Sequence, residues 1–125
     1  MTLSVDVFVT GADGRTEVLD VPEGVSDLAG FESWRTTVWG SEAVRSLGTE
    51  FFPVLATGDL RVAAEQVPDF RRECAALRAD LERVARGADS AKAPEEHVRQ
   101  ISARLRNIED ACDRARAVGG GVLVW

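Results

Sequence analysis

Metal-binding and nucleophilic side chains are scarce in this sequence. It contains one histidine and two cysteines, whereas zinc sites are built from several such ligands held close together. Cys74 and Cys112 fall in separate apolar helical patterns, so we expect reduced thiols packed in the core, with a disulfide or redox pair as the alternative. His97 follows Glu95 and Glu96 without a third partner, and we expect it to be solvated. The sequence therefore predicts no metal, no cofactor and no catalytic residues.

Long apolar runs are also absent. The longest, 51–56 and 122–125, fall far short of the roughly 20 residues that cross a bilayer. The N-terminus has neither the basic stretch nor the apolar region of a secretory signal, so we expect a cytoplasmic protein. The composition, 45% hydrophobic and 29% charged in 125 residues, is that of one globular domain with one core. We expect a single α+β domain over residues 1–125.

Basic residues are few in the front half of the chain. Residues 1–70 carry 12 acidic and 4 basic side chains, whereas residues 71–125 carry 9 acidic and 11 basic ones. An acidic field repels nucleic acid and anionic membranes, and it speeds encounter with a basic protein. Acidity for solubility alone is the alternative interpretation. In the back half, arginines alternate with carboxylates, which is typical of a solvated face and not of a nucleic-acid site.

Strand patterns stand at both ends of the chain. Residues 3–9 alternate strictly between apolar and other side chains, residues 11–14 supply turn chemistry, and residues 16–21 resume strand composition, so a β-hairpin is predicted. A glycine triplet at 119–121 ends the last helix. Residues 122–125 are strand-like, and insertion beside the hairpin would cover one sheet edge.

The middle of the chain mixes signals. Ser26 or Asp27 can cap a helix whose apolar stripe is 28, 31, 34 and 38, and Ser41 can cap a second short helix. Residues 51–62 read as two short strands joined by a turn at 57–59, with Pro53 confining the first to an edge.

Two matched apolar seams follow. Side chains at 67, 70, 74, 77, 81 and 84 recur at steps of three and four, and so do those at 98, 101, 105, 108, 112 and 115. A polar linker at 87–94 separates them, so we predict an antiparallel helical hairpin. The predicted fold is α+β, with a small antiparallel or mixed sheet, formed by the N-terminal hairpin and the C-terminal strand, packed against the helical hairpin and a further N-terminal helix.

Tryptophan marks a candidate interface. On a straight helix, Trp34 and Trp39 lie about 140° apart around the axis, so they cannot both face the protein core. Because tryptophan is enriched at binding hot spots, Trp39 is the candidate apolar anchor, with ordinary core packing as the alternative.

Several segments together resemble a known group of proteins. The segments are 34–40 (WRTTVWG), 52–55 (FPVL), 58–60 (GDL) leading into Val67-Pro68, and the terminal GGGVLVW. They are similar to small bacterial proteins of the immunity type, which belong to polymorphic toxin systems. The resemblance implies a protein that neutralises a toxin by direct binding, and it assigns no binding residues.

The leading hypothesis is a non-enzymatic protein-binding domain that docks onto a basic partner such as a toxin. Its predicted contact residues are Asp20, Glu23, Asp27 and Glu32 as electrostatic complement and Trp39 as anchor. A small ligand-binding or enzymatic domain with a pocket between sheet and helical hairpin is the competing hypothesis. A homodimeric structural module is the third, so monomer and homodimer both stay open.

Overall fold

The structure is a computed structural model that describes residues 1–88 and 93–125. Its fold is α+β, as predicted, with one antiparallel sheet of five strands in this part of the chain. The predicted linker at 87–94 falls partly outside the described residues. The strands are β1 (Thr2–Thr10), β2 (Thr16–Val18), β3 (Leu28–Phe31), β4 (Leu60–Val62) and β5 (Gly121–Val124).

Strand β1 organises the sheet through both of its edges. Strands β2 and β3 lie along one edge, where the Leu19 amide donates to Val7 O and the Val5 amide to Asp27 O, each at 2.8 Å. Strand β5 lies along the other edge and also pairs with β4. The predicted hairpin and the predicted insertion of the C-terminal strand beside it are both confirmed.

Over residues 1–88 and 93–125, four α-helices accompany the sheet. They are α1 (Glu42–Arg45), α2 (Val67–Ala79), α3 (Leu81–Gly87) and α4 (Pro94–Val118). The predicted first arm of the helical hairpin is divided at Asp80, whose φ of −125° and ψ of 33° leave the helical region. Helix α4 contacts α2 and α3 and also β1, β3 and β5. The helical hairpin is thus confirmed, and its second arm, α4, lies between the first arm (α2 and α3) and the sheet.

The two apolar seams form the helical part of the core. Most of their side chains are fully buried, and both cysteines are free. A hydrogen bond with Cys112, followed by burial, raises the pKa of the Cys74 thiol well above its ordinary value. Cys74 is therefore a neutral packing group, and the interpretation of both cysteines as reduced core residues is confirmed.

The predicted start of the first helix, at Ser26 or Asp27, is wrong. Ser26 Oγ accepts a hydrogen bond from the Leu28 amide at 3.2 Å, but the chain then continues as β3. Gly30 has a φ of +114°, which no helix allows, and a Cβ there would lie 2.4 Å from Trp34 Cε3. Helical structure begins only with a π-helical turn, Arg35–Trp39, and the predicted Ser41 cap of α1 is confirmed.

The first of the two strands predicted within 51–62 is also wrong. Phe52–Ala56 is a 3₁₀ helix, and only β4 is a strand. The Glu73 carboxylate, on α2, accepts hydrogen bonds from the amides of Glu50, Phe51 and Phe52 at 2.6–3.3 Å. A long-range carboxylate thus satisfies the free amides at the start of this helix, which local sequence does not reveal.

Two further side chains predicted to be solvated are buried. His97 is only 5% exposed, and its ring lies 6.0 Å from that of Trp34. Glu109 is 8% exposed, and its carboxylate accepts from Arg71 at 3.2 Å and from Arg78 at 2.7 Å. Part of the mixed-charge surface is therefore an ion-pair network between α2 and α4.

The C-terminal glycines have two functions. Gly119, with a φ of +66°, ends α4 in the left-handed conformation, as predicted. Gly121, on β5, is closely approached from both neighbouring strands: an added Cβ would be 2.3 Å from Val62 O on β4 and 2.4 Å from Phe8 Cζ on β1. Close packing, and not only helix termination, explains the triplet.

Gly121→Ala is expected to lower the free energy of unfolding by about 1 to 3 kcal/mol, because the added methyl group forces β4 or Phe8 out of place. Gly58→Ala is the matched control, since no atom lies within 4 Å of its Cβ position and its φ is ordinary. Urea unfolding of both variants measures the difference. Equal stability of the two would contradict the close approach.

Candidate partner-binding surface

Three of the predicted contact residues lie on the connection between β2 and β3, residues 19–27. Asp20 and Glu23 are exposed and Asp27 is half-buried. The Val25 amide donates to Pro22 O at 3.1 Å, and Gly24 has a φ of +81°. This tight turn places Glu23 at its tip, because the glycine accepts a positive φ without strain.

The connection is fixed at its ends. The backbone hydrogen bonds that Leu19 donates to β1 and that Asp27 accepts from β1 attach the connection to the sheet. Just beyond it, Asn107 Nδ2 on α4 donates to Leu28 O at 2.8 Å. The carboxylates are therefore carried by a segment held on both the sheet and the long helix.

The charges of these three carboxylates are not compensated locally. Among residues 1–88 and 93–125, no cation forms an ion pair with Asp20, Glu23 or Asp27. A partner's cation could pair with them without first breaking an internal bond. Such charges mainly accelerate encounter and set specificity.

Glu32 is placed differently. Its carboxylate accepts from Arg35 Nε, and Arg35 also donates to Asp59 at 2.7 Å and to Gly58 O at 2.7 Å. Burial opposes the charged form of Arg35, but the hydrogen bonds that it donates to Asp59 and Glu32 outweigh burial and raise its pKa. Glu32 is thus occupied in an internal network and is a weaker candidate than the other three.

Trp39 does not reach the surface. It is fully buried, its Nε1 donates to Ala29 O at 2.9 Å, and its ring lies 5.1 Å from Phe52 and 5.8 Å from Trp34. The π-helical turn allows both Trp34 and Trp39 to enter the core, which a straight α-helix would not. Core packing of Trp39 is confirmed, and it is not an exposed anchor.

Leu28 and Phe31 are exposed instead, at 37% and 43%. They lie at the two ends of β3, directly after Asp27 and before Glu32. The expected helix placed both in a buried stripe, so the sequence gave no reason to consider them. We call Asp20, Glu23, Asp27, Leu28 and Phe31 the acidic edge.

A cleft of about 210 Å³ adjoins the acidic edge at Asp20. Its lining also includes Arg114, whose Nε and Nη2 are shielded from solvent and have no hydrogen-bond partner among the described residues. A buried donor without a partner costs about 1 to 3 kcal/mol, and more when it is charged. The sequence did not single out Arg114, because it is one of many arginines on α4. The remaining lining residues are Val7, Leu19, Pro22, Ala117 and Val118.

No protein-family model matches the chain, and neither the curated proteins nor the solved structures give a significant match. In the described part of the chain, no three metal-ligating side chains are grouped, and no helix is long and apolar enough to cross a membrane. The candidate surface therefore has to be interpreted from its own geometry.

Arg114→Met is expected to raise the free energy of unfolding by about 1 to 3 kcal/mol relative to Arg116→Met, because it removes two shielded donors that have no partner among the described residues. Arg116 is exposed two positions further along α4, so both variants remove one positive charge near the helix C-terminus. Urea unfolding compares them. Destabilisation by Arg114→Met alone would show that the guanidinium is paired in the folded state.

Proposed function

We propose that this chain is a non-enzymatic protein-binding domain of immunity type, which neutralises a basic partner, such as a toxin domain, by docking through the acidic edge. The observation that carries the proposal is the group of three uncompensated carboxylates on one fixed connection. The likeness of several segments to immunity proteins favours the same function. Asp20, Glu23 and Asp27 supply the electrostatic complement.

The apolar members of the acidic edge support a protein partner over a simple ion. Binding energy at protein interfaces comes mainly from apolar or aromatic side chains that are fully desolvated, whereas charges at the rim contribute chiefly to rate and specificity. Phe31 packs edge-to-face on Trp34, with ring centroids 5.8 Å apart. Phe31 is therefore a supported aromatic group and takes the role of anchor first assigned to Trp39.

A second candidate function is small-ligand binding. The observation that favours it is the Arg114 cleft, which lies between the β2–β3 side of the sheet and α4. Concave, mostly apolar sites with a few convergent polar groups are typical of ligand pockets. The two functions use different groups, and only Asp20 belongs to both.

The test is affinity capture from the native cell lysate with the purified protein as bait, at low and at moderate salt. Asp20→Lys with Glu23→Lys is expected to weaken capture of a basic partner by about tenfold or more at low salt, because attraction becomes repulsion. Recovery by the unaltered protein is expected to decrease as salt rises.

The matched control is Glu82→Lys with Asp110→Lys, which changes net charge equally at exposed positions on α3 and α4. It should retain most of the binding. Phe31→Ser should accelerate dissociation with little change in the association rate. Equal loss of capture in both double variants would show that binding depends only on net charge. Capture of a partner that no acidic-edge variant weakens would overturn the proposal.

A further inference from the structure

We propose that the open face of the sheet is the contact surface of a symmetric dimer of this chain. The open face consists of the strand side chains that point away from α4: Asp6 and Phe8 on β1, Val18 on β2, Arg61 on β4, Leu123 on β5 and Trp125 directly after it. This inference goes beyond the protein-binding function proposed above and does not depend on it.

Alternation along the strands separates the open face from the core. Val5 and Val7 belong to the core cluster, on the side of the sheet that α4 contacts. Asp6 and Phe8 therefore point to the opposite side. Directly paired residues of neighbouring strands point to the same side, which assigns the other members: Phe8 pairs with Val18, Asp6 with Leu123, and Leu123 with Arg61.

Large apolar side chains of the open face remain in contact with solvent. Trp125 is 46% exposed and Val18 is 40% exposed, and Leu123 is half-buried. Phe8 is only 3% exposed, because the Arg61 guanidinium lies over its ring, 4.4 Å from the centroid. The solvent side of an antiparallel sheet is normally polar. Several apolar groups on that side indicate a surface that a partner covers.

The charged side chains that the described strands place on the open face are one acid and one base, in sequence along β1. Arg61 reaches across β5: its guanidinium stacks on Phe8, and its Nη2 donates to Thr16 Oγ1 at 3.3 Å. Phe8 lies two residues beyond Asp6, which is about 7 Å along the strand. The Asp6 carboxylate accepts a hydrogen bond from Trp125 Nε1 at 2.8 Å. Both charges are therefore held at defined positions.

This arrangement fits a second copy of the chain related by a two-fold axis. An axis that lies between two facing sheets, runs across the strands and crosses β1 between Asp6 and Phe8 places Asp6 of each copy against the Arg61 guanidinium of the other. A symmetric interface repeats every contact, so both charge pairs form together. Neither side chain forms an ion pair within the described part of the chain, so no internal ion pair has to break. The strands of the two sheets then follow nearly the same line, as in aligned sheet packing.

Charge favours a second copy over other occupants of the open face. A basic protein is attracted to the acidic edge, whereas the open face is neutral and presents Arg61 to it. The net charge of −6 repels an anionic membrane. The open face complements a surface that carries the same acid and base in reversed order, and the two-fold axis supplies that surface.

The size of the open face sets the strength of the dimer. Four strands at a spacing of about 4.8 Å, over about 20 Å of length, make a face of roughly 400 Å². A standard interface buries about 800 Å² on each partner. We therefore expect a weak dimer with a Kd on the order of 100 µM.

The test is sedimentation equilibrium of the full chain, from about tenfold below to about tenfold above the expected Kd. The weight-average mass should rise from that of the monomer towards twice that value. Nuclear magnetic resonance spectra over the same range locate the contact. The Trp125 Nε1–H resonance and the amides of β1 and β5 should shift with concentration, and the amides of α2 should not.

Charge variants test the pairing itself. Asp6→Lys leaves two cations on the open face and Arg61→Glu leaves two anions, so each should weaken self-association by about tenfold or more. An equimolar mixture of these two variants should recover most of the association, because opposite charges then meet between the copies. The matched control is Asp110→Lys, at an exposed position on α4. It changes the net charge as Asp6→Lys does and should not weaken self-association.

Three results would overturn the proposal. They are a monomer at every concentration, self-association that neither charge variant weakens, and a mixture that associates no better than the separate variants. Loss of self-association in Phe31→Ser would place the contact at the acidic edge and overturn it as well. If a charge variant unfolds, the concentration series of the unaltered chain decides, because resonance shifts confined to other surfaces would contradict a contact through the open face.

Discussion

Insertion of the last strand between β1 and β4 is the constraint on which the rest of this structure depends. In the described part of the chain, β4 pairs only with β5, and β5 pairs with Val5 to Phe8 along one edge of β1. The insertion requires glycine where Phe8, Val62 and the strand backbone meet. It also turns α4 back across the sheet, because Gly119 connects that helix directly to β5. One strand thus joins the two halves of the chain into a single core.

The surface features follow from this frame. Because β5 occupies one edge of β1, the β2–β3 connection lies along the opposite edge. Helix α4 lies beneath this connection. The acidic edge and the Arg114 cleft are therefore neighbours that share Asp20. Exposed Leu28 and Phe31 reduce solubility, and the unpartnered donors of Arg114 reduce stability. Features of that kind are expected to concentrate at functional sites, where the amino-acid type at a position is selected for binding and not for stability of the fold.

Periodicity predicted the parts of the fold that depend on local pattern. The alternation of Leu3, Val5 and Val7, the two helical seams and the Gly119 terminus all held, because burial on one face imposes a period that the sequence shows. The apolar stripe containing Leu28 and Phe31 predicted a helix, and that prediction was wrong. So short a segment fits both a helix and a strand, and the positive φ of Gly30 excludes the helix. The 3₁₀ helix at Phe52–Ala56 depends on Glu73, a partner distant in sequence. Of the candidate surface, the acidic residues were predicted from charge, whereas Arg114 became distinct only through its surroundings.

Native-state hydrogen exchange of β5 tests this arrangement most directly. If β5 closes the frame that carries the acidic edge, its amides exchange only through global unfolding, with the same free energy of opening as the central amides of α4. Amides of β2, on the far edge, should open at lower free energy. Exchange of the β5 amides at a much lower free energy than those of α4 would contradict the account, because the sheet would then persist without its last strand.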